Sequence, residues 1–540
     1  MIKNAIILAA GKSNRFAPFT YEKPKGLFIV KNEILIERQI EQLIDAGISE
    51  IIIVVGYMKE KFFYLEQKYK EVKLLINNTF GKFGNIYSLY VAKDYLANSF
   101  ICCADHYFLE NPFLDENINN NSYRYCAYYE GNFREFSVDY SDANIITGCY
   151  IGGNNRMAMI GPGYFNENFS KRFVKLMEED IDNFGVANMF WEEFYKKHMK
   201  NLTLYMKEID ASKMLEFEDI DDLRQFDSDF LLNVNSEIID NICSVLNCSP
   251  NKIKQIEIIK AGLTNASFKF TVEDTEYVYR HPGGTADSLI DRQTEVYTQN
   301  MAKKYDLDKS LIYIDPSGWK LSYFIKNIIP CDILNNKKHL KQVIDSLHKT
   351  HEIPLSDEAK IFDNLAESKR LIELACATKG NLFKEFEELF AKIDLIDEYV
   401  KAEREKYGIE LVISHHDVYE PNFISTSDGD FYLIDWEYSG INDPINDICS
   451  IFTRYEYNEE IREYLLKSYY GRDLTHLEHR HAMGQSILNA LYWISWGLFK
   501  GSVGEEDGFF FLTAYRYLIN NIDEVLESYR RCDLWMFLLF

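Results

Sequence analysis

Between two apolar stretches, the segment SHHDVYEPNF gathers several polar side chains in one short turn. His415 and Asp417 open the turn, Asn422 lies five residues after Asp417, and Asp435 comes thirteen residues after Asn422. Polar groups at the ends of buried strands are costly unless water, a metal ion or a substrate satisfies them. The spacing therefore indicates a site for a metal or a substrate, and the alternative is an ordinary polar turn.

The spacing H-x-D-x-x-x-x-N resembles the catalytic loop of phosphotransferases that are built like protein kinases. The resemblance implies that Asp417 accepts the proton of a substrate hydroxyl, that Asn422 and Asp435 hold Mg²⁺, and that His415 braces the loop. The next stretch, IDWEYSGINDPINDI, resembles the choline/ethanolamine kinase signature. This second resemblance assigns Glu437 to the acidic pattern on the metal and choline side.

Two upstream segments agree with the same family. GLTNASFKF resembles the turn that covers ATP, which implies that Thr264 and Asn265 lie near the phosphates. YVYRHPGGTADSLIDRQTEVY matches the run R-x-P-G-x-G-T…D-R-x-x-E in outline. We therefore expect Arg280 where protein kinases have a lysine, in an ion pair with Glu295.

The segment LYWISWGLF carries Trp493 and Trp496 three residues apart, which puts them on one face of a helix. Composition alone favours packing in a core. The choline kinase family has a W-x-x-W here that forms part of its aromatic choline pocket, so the resemblance implies that both tryptophans bind choline.

A second group of residues lies at the N-terminus, in LAAGKSNRFAPFTYEKPKG. An apolar strand opens here into a glycine-containing loop. Such a loop can turn backbone N–H groups toward phosphates, and Arg15 and Lys25 add positive charge. The alternative is an ordinary βα turn with surface cations.

This stretch resembles the nucleotidyltransferase signature, L-A-A-G followed by Arg and P-K, and in particular the bacterial phosphocholine cytidylyltransferases. The resemblance implies that the backbone at Ala10 and Gly11 holds the nucleotide and that Arg15 faces the leaving pyrophosphate. It also implies that Lys25 neutralises the reacting phosphates and that Asp105, at a strand end, holds Mg²⁺. The sequence departs from many relatives at residue 13, where a serine replaces a second glycine.

A second acidic metal ligand is expected late in this domain, in EFEDIDDL, and the candidates are Glu216, Glu218, Asp219 and Asp221. By spacing we favour Glu218, although relatives usually carry aspartate there. The alternative for this acidic run is a solvated helix start.

Three further residues are weaker candidates. NNTFGKFGNIYSLY resembles the family segment near the base and the acceptor, which implies nucleotide-binding roles for Asn85 and Ser88. Trp191 is expected to close a cage around a quaternary ammonium by cation–π attraction. The alternative for Trp191 is simple core packing.

The elements that position these residues are readable from hydrophobic periodicity. The order of strand, loop, helix and strand at the N-terminus indicates a parallel sheet. We predict an α/β nucleotidyltransferase domain, Rossmann-like with a mostly parallel sheet, over residues 1–232. A linker over 233–254 leads to a two-lobed α+β, protein-kinase-like domain over 255–540.

Composition excludes several classes of function. The 540 residues carry a formal net charge of −25, which argues against a non-specific grip on nucleic acid or on an anionic membrane. No run reaches the roughly 18 apolar residues of a membrane span, and we expect a cytoplasmic protein with small-molecule partners. The partners expected are choline, phosphocholine, ATP and CTP, with Mg²⁺ as cofactor.

The two resemblances together predict a bifunctional enzyme, because phosphocholine, the product of a choline kinase, is the substrate of a phosphocholine cytidylyltransferase. Choline is phosphorylated by ATP, and phosphocholine then reacts with CTP to give CDP-choline and pyrophosphate. The same reactions on ethanolamine are an alternative, as is a sugar-1-phosphate nucleotidyltransferase fused to a small-molecule kinase. A non-enzymatic module would have lost a key carboxylate, yet all of them are present.

Overall fold

The structure is a computed structural model that describes residues 4–114, 121–259, 265–284, 286–379, 386–504 and 510–537. The chain folds into two compact units, Met1–Ile256 and Glu257–Phe540. None of the helices in these described ranges combines the length and the apolar character required to cross a membrane.

The first unit contains strands and helices in alternation. Its strands are β1 (Asn4–Ala9), β2 (Ile29–Val30), β3 (Glu33–Ile34), β4 (Ile51–Val55), β5 (Val72–Ile76), β6 (Ser99–Cys103), β7 (His106–Phe108), β8 (Tyr123–Tyr140), β9 (Ile146–Phe165), β10 (Tyr205–Glu208) and β11 (Met214–Glu216). Its helices are α1 (Leu35–Asp45), α2 (Tyr64–Lys68), α3 (Asn85–Val91), α4 (Glu167–Asp180), α5 (Phe184–Ala187), α6 (Trp191–His198), α7 (Ile220–Phe226), α8 (Phe230–Asn233) and α9 (Glu237–Leu246).

The central sheet of the first unit has seven strands in the order β10-β8-β9-β6-β1-β4-β5. Strand β1 runs parallel to β4 and to β6, and β4 runs parallel to β5. Strand β9 is antiparallel to both of its neighbours. Because the carboxyl ends of parallel strands meet at one edge, the segments after β1 and β6 lie side by side. The predicted mostly parallel α/β domain is confirmed.

Residues 233–254, which we expected to form a linker, fold onto the first unit instead. They contain α9, whose Ile238, Ile239 and Ile242 are buried. The ammonium of Lys23 donates to the carbonyl oxygen of Val234 at 2.7 Å. The apolar residues of α9 lie at helical spacing, but the stretch before them is acidic and Asn-rich, which favoured the interpretation as a linker.

The second unit begins with strands and continues with helices. Its strands are β12 (Ile253–Ile259), β13 (Asn265–Val272), β14 (Thr275–Pro282), β15 (Leu311–Ile314), β16 (Lys320–Tyr323), β17 (Ile328–Ile329), β18 (Val412–Ser414), β19 (Phe423–Thr426), β20 (Phe431–Leu433) and β21 (Gly440–Asn442). Its helices are α10 (Ala286–Leu289), α11 (Arg292–Lys304), α12 (Lys337–His351), α13 (Asn364–Lys379), α14 (Phe386–Tyr407), α15 (Ile445–Thr453), α16 (Glu459–Tyr470), α17 (His476–Ser502) and α18 (Phe510–Phe537).

A five-stranded sheet, in the order β12-β13-β14-β16-β15, forms the first lobe of this unit. The second lobe is helical, and two small sheets, β17-β19-β20 and β18-β21, carry the loops between its helices. A large apolar cluster that includes Trp436 and much of α17 holds this lobe together. The predicted two-lobed, kinase-like domain is confirmed.

Candidate active sites

A cavity of about 910 Å³ lies at the carboxyl ends of β1 and β6 in the first unit. Nine residues named as candidates from the sequence line this cavity: Ala10, Gly11, Arg15, Lys25, Asn85, Ser88, Asp105, Glu216 and Glu218. They come from separate parts of the chain, and the parallel sheet brings them to one edge.

The loop after β1 contains one residue with a left-handed backbone conformation, Ser13. Ser13 has a φ of 49°, which is the left-handed region that favours glycine. The serine at this position therefore adopts a backbone conformation that glycine takes more readily. The guanidinium of Arg15, just beyond, forms an ion pair with the carboxylate of Glu218.

Lys25 is the buried cation of this cavity, with only 5% of its side chain exposed. Its ammonium donates to Asp105 Oδ2 at 2.9 Å and to the carbonyl oxygen of Phe217 at 2.7 Å. It also lies 4.1 Å from the ring centre of Phe16. Burial opposes ionisation of Asp105, yet the charges of Lys25 and His106 hold the pKa of this carboxyl at about 2.

Glu216 joins the acidic group through strand pairing. It lies opposite His106 in the antiparallel pair of β11 and β7, and its carboxylate contacts His106 Nε2 at 3.3 Å. Burial raises the pKa of Glu216, but His106 outweighs that effect and the net pKa is lowered. Sequence spacing favoured Glu218 alone, and only the register with His106 indicates Glu216 as well.

The residues at this edge fit a divalent cation. Oxygen donors come from Asp105, Glu216 and Glu218, and carboxylate oxygens are the ligands that Mg²⁺ prefers. Donor atoms of Cys103, Asp105 and His106 also lie within 4.8 Å of one another.

Trp191 does not reach the cavity. Its side chain is buried, it packs edge-on against Phe165, and the guanidinium of Arg124 lies 5.1 Å from its ring centre. The phenylalanine side chains that line the cavity are Phe62, Phe80, Phe83, Phe136 and Phe190. The core-packing alternative therefore describes the position of Trp191.

Two carboxylates that sequence reasoning did not single out also line the cavity. Burial, together with Glu216 and Glu218, raises the pKa of Glu135 to about 7. Burial raises the pKa of Glu192 to about 7, although Arg124 opposes this effect from 3.3 Å. Neither residue belongs to a motif, so the tertiary structure alone identifies them.

Asn85 and Ser88 lie on α3 at the wall of the cavity, and both have protein partners. Asn85 Oδ1 accepts a hydrogen bond from the backbone N–H of Trp191 at 2.7 Å. Ser88 is buried, and its hydroxyl oxygen accepts from Asn77 Nδ2 at 3.1 Å. These contacts fix the two side chains in place beside the cavity.

A cavity of about 410 Å³ lies in the second unit. Seven of the residues proposed from the sequence line it: Asn265, Arg280, Asp417, Asp435, Glu437, Trp493 and Trp496. Asn422 and Glu295 touch lining residues directly, and Thr264 falls outside the described residues.

The turn that contains Asp417 is held from both sides. Asn422 Nδ2 donates to Asp417 Oδ2 at 2.8 Å, and Arg454 forms an ion pair with the other oxygen, Oδ1. The backbone N–H groups of His415 and His416 donate to the carboxylate of Asp447 at 2.9 and 2.8 Å. The carboxylate of Asp417 is therefore fixed in position at the cavity wall.

His415 supports the same turn through its ring. His415 Nε2 lies 2.9 Å from the carbonyl oxygen of Ile434, the residue before Asp435. Asp435 itself has a φ of 68°, a left-handed conformation that directs the chain sharply at the end of β20. The bracing contact expected of His415 thus links the Asp417 turn to Asp435.

Arg280 forms a buried charge centre. It pairs with Glu295, lies 3.8 Å from Asp435 and 3.6 Å from Glu437, and donates to the carbonyl oxygen of Gly318 at 2.9 Å. Its Nη1 is buried without a hydrogen-bond partner among the described residues. Such a donor fits an anionic ligand in the cavity.

Three neighbouring groups complete this charge centre. Burial lowers the pKa of Lys320, a cavity-lining residue that the sequence motifs did not include. Partial burial raises the pKa of Asp435 despite the opposing charges of Lys320 and Arg280. Burial and Asp435 raise the pKa of Glu437 to about 8, and this carboxyl accepts from Asn265. Glu437 therefore lies against residues expected on the nucleotide side.

Oxygen donors of Asp435 and Asn422 fit Mg²⁺ here.

Trp493 and Trp496 both line the cavity, with ring centres 6.0 Å apart in an edge-on arrangement. Trp496 Nε1 donates to the hydroxyl oxygen of Tyr438 at 2.9 Å, and the Tyr438 ring lies 5.7 Å from that of Trp493. The guanidinium of Arg454 lies 3.6 Å from the ring centre of Trp493. We refer to Tyr438, Trp493 and Trp496 as the aromatic box.

Comparisons with known proteins divide the chain in the same way. Residues 5–136 match the model of the MobA-like NTP transferase domain, and residues 256–473 match that of the choline/ethanolamine kinases. The choline-phosphate cytidylyltransferase of Streptococcus pneumoniae is 32% identical over 231 residues, which are 43% of this chain and 99% of that protein.

Two further similarities cover the two halves. The 2-aminoethylphosphonate cytidylyltransferase of Lancefieldella rimae is 32% identical over 43% of this chain and 95% of its own length. The crystal structure of the choline kinase LicA from Streptococcus pneumoniae is similar with a TM-score of 0.45 and 23% identity, over 53% of this chain and 98% of that one. The 32% identity over almost the full length of the pneumococcal enzyme and the two family models show that the chain belongs to the nucleotidyltransferase family of the choline-phosphate cytidylyltransferases, and that it carries this domain fused to a domain of the choline/ethanolamine kinase family.

Proposed function

We propose that the protein makes CDP-choline in two steps, as a choline kinase and a CTP:phosphocholine cytidylyltransferase. Residues 255–540 phosphorylate choline with ATP, and residues 1–232 transfer a cytidylyl group from CTP to the phosphocholine. One observation carries the proposal: the aromatic box lines the same 410 Å³ cavity as Asp417 and Asp435. An aromatic box attracts a quaternary ammonium by cation–π interaction.

In the kinase step, Asp417 accepts the proton of the choline hydroxyl as the oxygen attacks the γ-phosphorus of ATP. Arg280 and Lys320 face the phosphates, and Glu295 holds Arg280 in place through their ion pair. Asn422 and Asp435 would hold Mg²⁺, which would screen the charges of the phosphates. The fixed backbone of the Asp417 turn supports this role. A base that is already held in place loses little conformational entropy when the substrate binds.

In the cytidylyl step, a phosphate oxygen of phosphocholine attacks the α-phosphorus of CTP and pyrophosphate leaves. Lys25 neutralises charge on the reacting phosphates, and Arg15 faces the pyrophosphate. The backbone of Ala10 and Gly11, with Asn85 and Ser88, binds the nucleotide. Asp105, with Glu218 and Glu216 beside it, would hold Mg²⁺, which would screen the charges of the reacting phosphates further.

A second candidate replaces choline with the primary amine ethanolamine, or replaces phosphocholine with aminoethylphosphonate, which also carries a primary amine. The carboxylates of Glu135 and Glu192 at the first cavity favour it, because carboxylates can accept hydrogen bonds from an –NH₃⁺ group that a trimethylammonium lacks. The similarity to an aminoethylphosphonate cytidylyltransferase points the same way.

Phosphorus NMR of the purified protein with choline, ATP, CTP and Mg²⁺ tests the proposal. The expected products are phosphocholine, ADP, CDP-choline and pyrophosphate. A parallel reaction with equimolar choline and ethanolamine ranks the two acceptors. Phosphorylation of ethanolamine with no reaction of choline would refute the choline assignment and support the second candidate.

A further inference from the structure

Arg454 occupies the place where a cationic substrate is expected. It follows α15 directly, it is buried, and the negative end of that helix favours its charge. Its guanidinium lies 3.6 Å from the ring centre of Trp493, the shortest cation–ring distance recorded among the described residues. It also lies 4.6 Å from the ring centre of Tyr419.

The same guanidinium pairs with the carboxylate of Asp417. It contacts Oδ1, while Asn422 donates to Oδ2 at 2.8 Å, so both oxygens of Asp417 have protein donors. The guanidinium of Arg454 therefore competes with any other donor for Oδ1 of this carboxylate. A substrate hydroxyl can use Oδ1 as a base only after Arg454 has moved.

Two cations cannot share this part of the cavity without mutual repulsion. A quaternary ammonium on the Trp493 ring would lie within a few ångströms of the guanidinium, where like charges repel strongly in a buried site. The ring contact and the Asp417 contact belong to one side chain. The event that removes Arg454 from the ring therefore also disturbs its contact with Oδ1.

We propose that Arg454 is a positioning residue that the cationic head group of the substrate displaces from Trp493, which releases Asp417 Oδ1 for the substrate hydroxyl. This inference rests on the proposed kinase function. Without substrate, Arg454 masks the base and protects ATP from attack by water. With substrate bound, the base becomes available at the moment when the hydroxyl arrives.

The alternative role for Arg454 is a permanent brace that holds Asp417 and never leaves the ring. The two roles predict opposite effects on binding. If Arg454 is displaced, its removal eliminates a competing cation and strengthens the binding of a cationic ligand. If Arg454 is a permanent brace, its removal weakens binding or leaves it unchanged, and only turnover falls.

The test compares Arg454→Met with the wild-type protein by tryptophan fluorescence titration. Tetramethylammonium is the first probe, because it has the cationic head group but no hydroxyl, and choline is the second. The Kd for both should fall by about two- to thirtyfold in the variant, the range expected for loss of one competing cation–π contact. ATP hydrolysis without any acceptor should rise in the variant, because Asp417 Oδ1 becomes available to water.

Arg462→Met is the matched control, because Arg462 also lies over a ring, 5.5 Å from the centre of Tyr517, but does not line this cavity. Its Kd for tetramethylammonium should equal that of the wild type. Arg454→Lys is the second variant if the methionine variant does not fold, and it should bind more tightly than wild type by a smaller factor.

Each half of the proposal has an outcome that overturns it. Displacement from Trp493 would be refuted if the Arg454 variants bound tetramethylammonium as tightly as the wild type or more weakly. It would also be refuted if neither the wild type nor the variants bound tetramethylammonium. Unchanged ATP hydrolysis would refute the release of Asp417. Failure of the wild-type protein to phosphorylate choline would instead refute the proposed function, and the tetramethylammonium titration would still decide the role of Arg454.

Discussion

Replacement of the buried Lys25 by methionine should separate the two activities. The side chain keeps most of its volume but loses the ammonium that contacts Asp105 at 2.9 Å and the carbonyl oxygen of Phe217 at 2.7 Å. The first unit should lose stability and cytidylyl transfer together. The kinase activity of the second unit should persist, because Lys25 is not part of that unit.

The magnitude follows from the contacts. The pKa of Asp105 is about 2 against an ordinary 3.8, a difference of about 2.4 kcal/mol at about 1.36 kcal/mol per pKa unit. Lys25 is the largest source of this lowering, and the unpaired carbonyl of Phe217 costs about 1 kcal/mol more. We expect a loss of about 3 kcal/mol at pH 7, which agrees with the roughly 3–5 kcal/mol typical of breaking a buried pair.

The pH dependence has a definite sign. A carboxyl whose pKa is lowered by folding stabilises the folded protein above its unfolded pKa, and this contribution is lost as the pH falls toward the folded pKa. The stability difference between wild type and Lys25→Met should therefore be complete above pH 3.8 and shrink toward pH 2.

Chemical denaturation gives the free energy of unfolding, and phosphorus NMR with phosphocholine and CTP gives the rate of cytidylyl transfer. We expect kcat/KM to fall by about 10²–10³, the usual effect of removing one group that stabilises transition-state charge. Lys23→Met is the matched control, since Lys23 also donates to a backbone carbonyl, that of Val234, but does not line the cavity.

Two results would contradict this account of Lys25. One is a kcat/KM within tenfold of the wild-type value. The other is a pKa of Asp105 that remains at about 2 in the variant, measured by NMR titration. A fall in cytidylyl transfer of the same size in Lys23→Met would show that a general loss of stability is enough to lower the activity, without a role for the ammonium of Lys25.

Three further predictions concern the second unit. Asp417→Asn should lower the choline kinase rate by about 10²–10⁴ and leave cytidylyl transfer to added phosphocholine intact, and a kinase rate close to wild type would exclude Asp417 as the base. Trp493→Leu should raise the KM for choline by about two- to thirtyfold and change the KM for ethanolamine less, as measured by coupled ADP release. Asp443 and Glu403, at 2.8 and 3.3 Å, outweigh burial and raise the pKa of His481 to about 9. A raised pKa stabilises the folded state fully below about 6.5, so about 3 kcal/mol should be lost as the pH rises through 9. Denaturation of His481→Gln should lack this dependence, and an equal slope in both proteins would exclude His481 as its source.

The fold was largely predictable because hydrophobic periodicity reports local structure. The all-apolar IIIVV of β4 is buried on both faces, as expected for an inner strand of a parallel sheet. The long β8 and β9 pair and the packed helix α9 were not predicted. Their residues alternate irregularly or follow a polar stretch, and partners distant in sequence stabilise them.

Two tryptophans show that the sequence predicts which aromatic residues are candidates for a site but does not predict which of them line a cavity. Trp191 and Trp493 were both candidates for a choline cage, and both are buried. Trp191 packs against Phe165 under Arg124, whereas Trp493 lines a cavity beside Tyr438. A sequence shows that an aromatic ring is present at a helical position, but the neighbours of that ring come from elsewhere in the chain.

The sequence by itself determined the fold class of each half and the family that each half resembles, and it supplied the motif residues as candidates for the two sites. These are local patterns, since a short stretch of chain carries both the residue type and its spacing. Only the tertiary structure decided that Glu216, Glu192 and Lys320 join the cavities and that Arg454 lies on Trp493 against Asp417. Such contacts join residues far apart in the chain, and the packing of sheets and helices sets them, because the energies involved depend on burial and on distances that no spacing records.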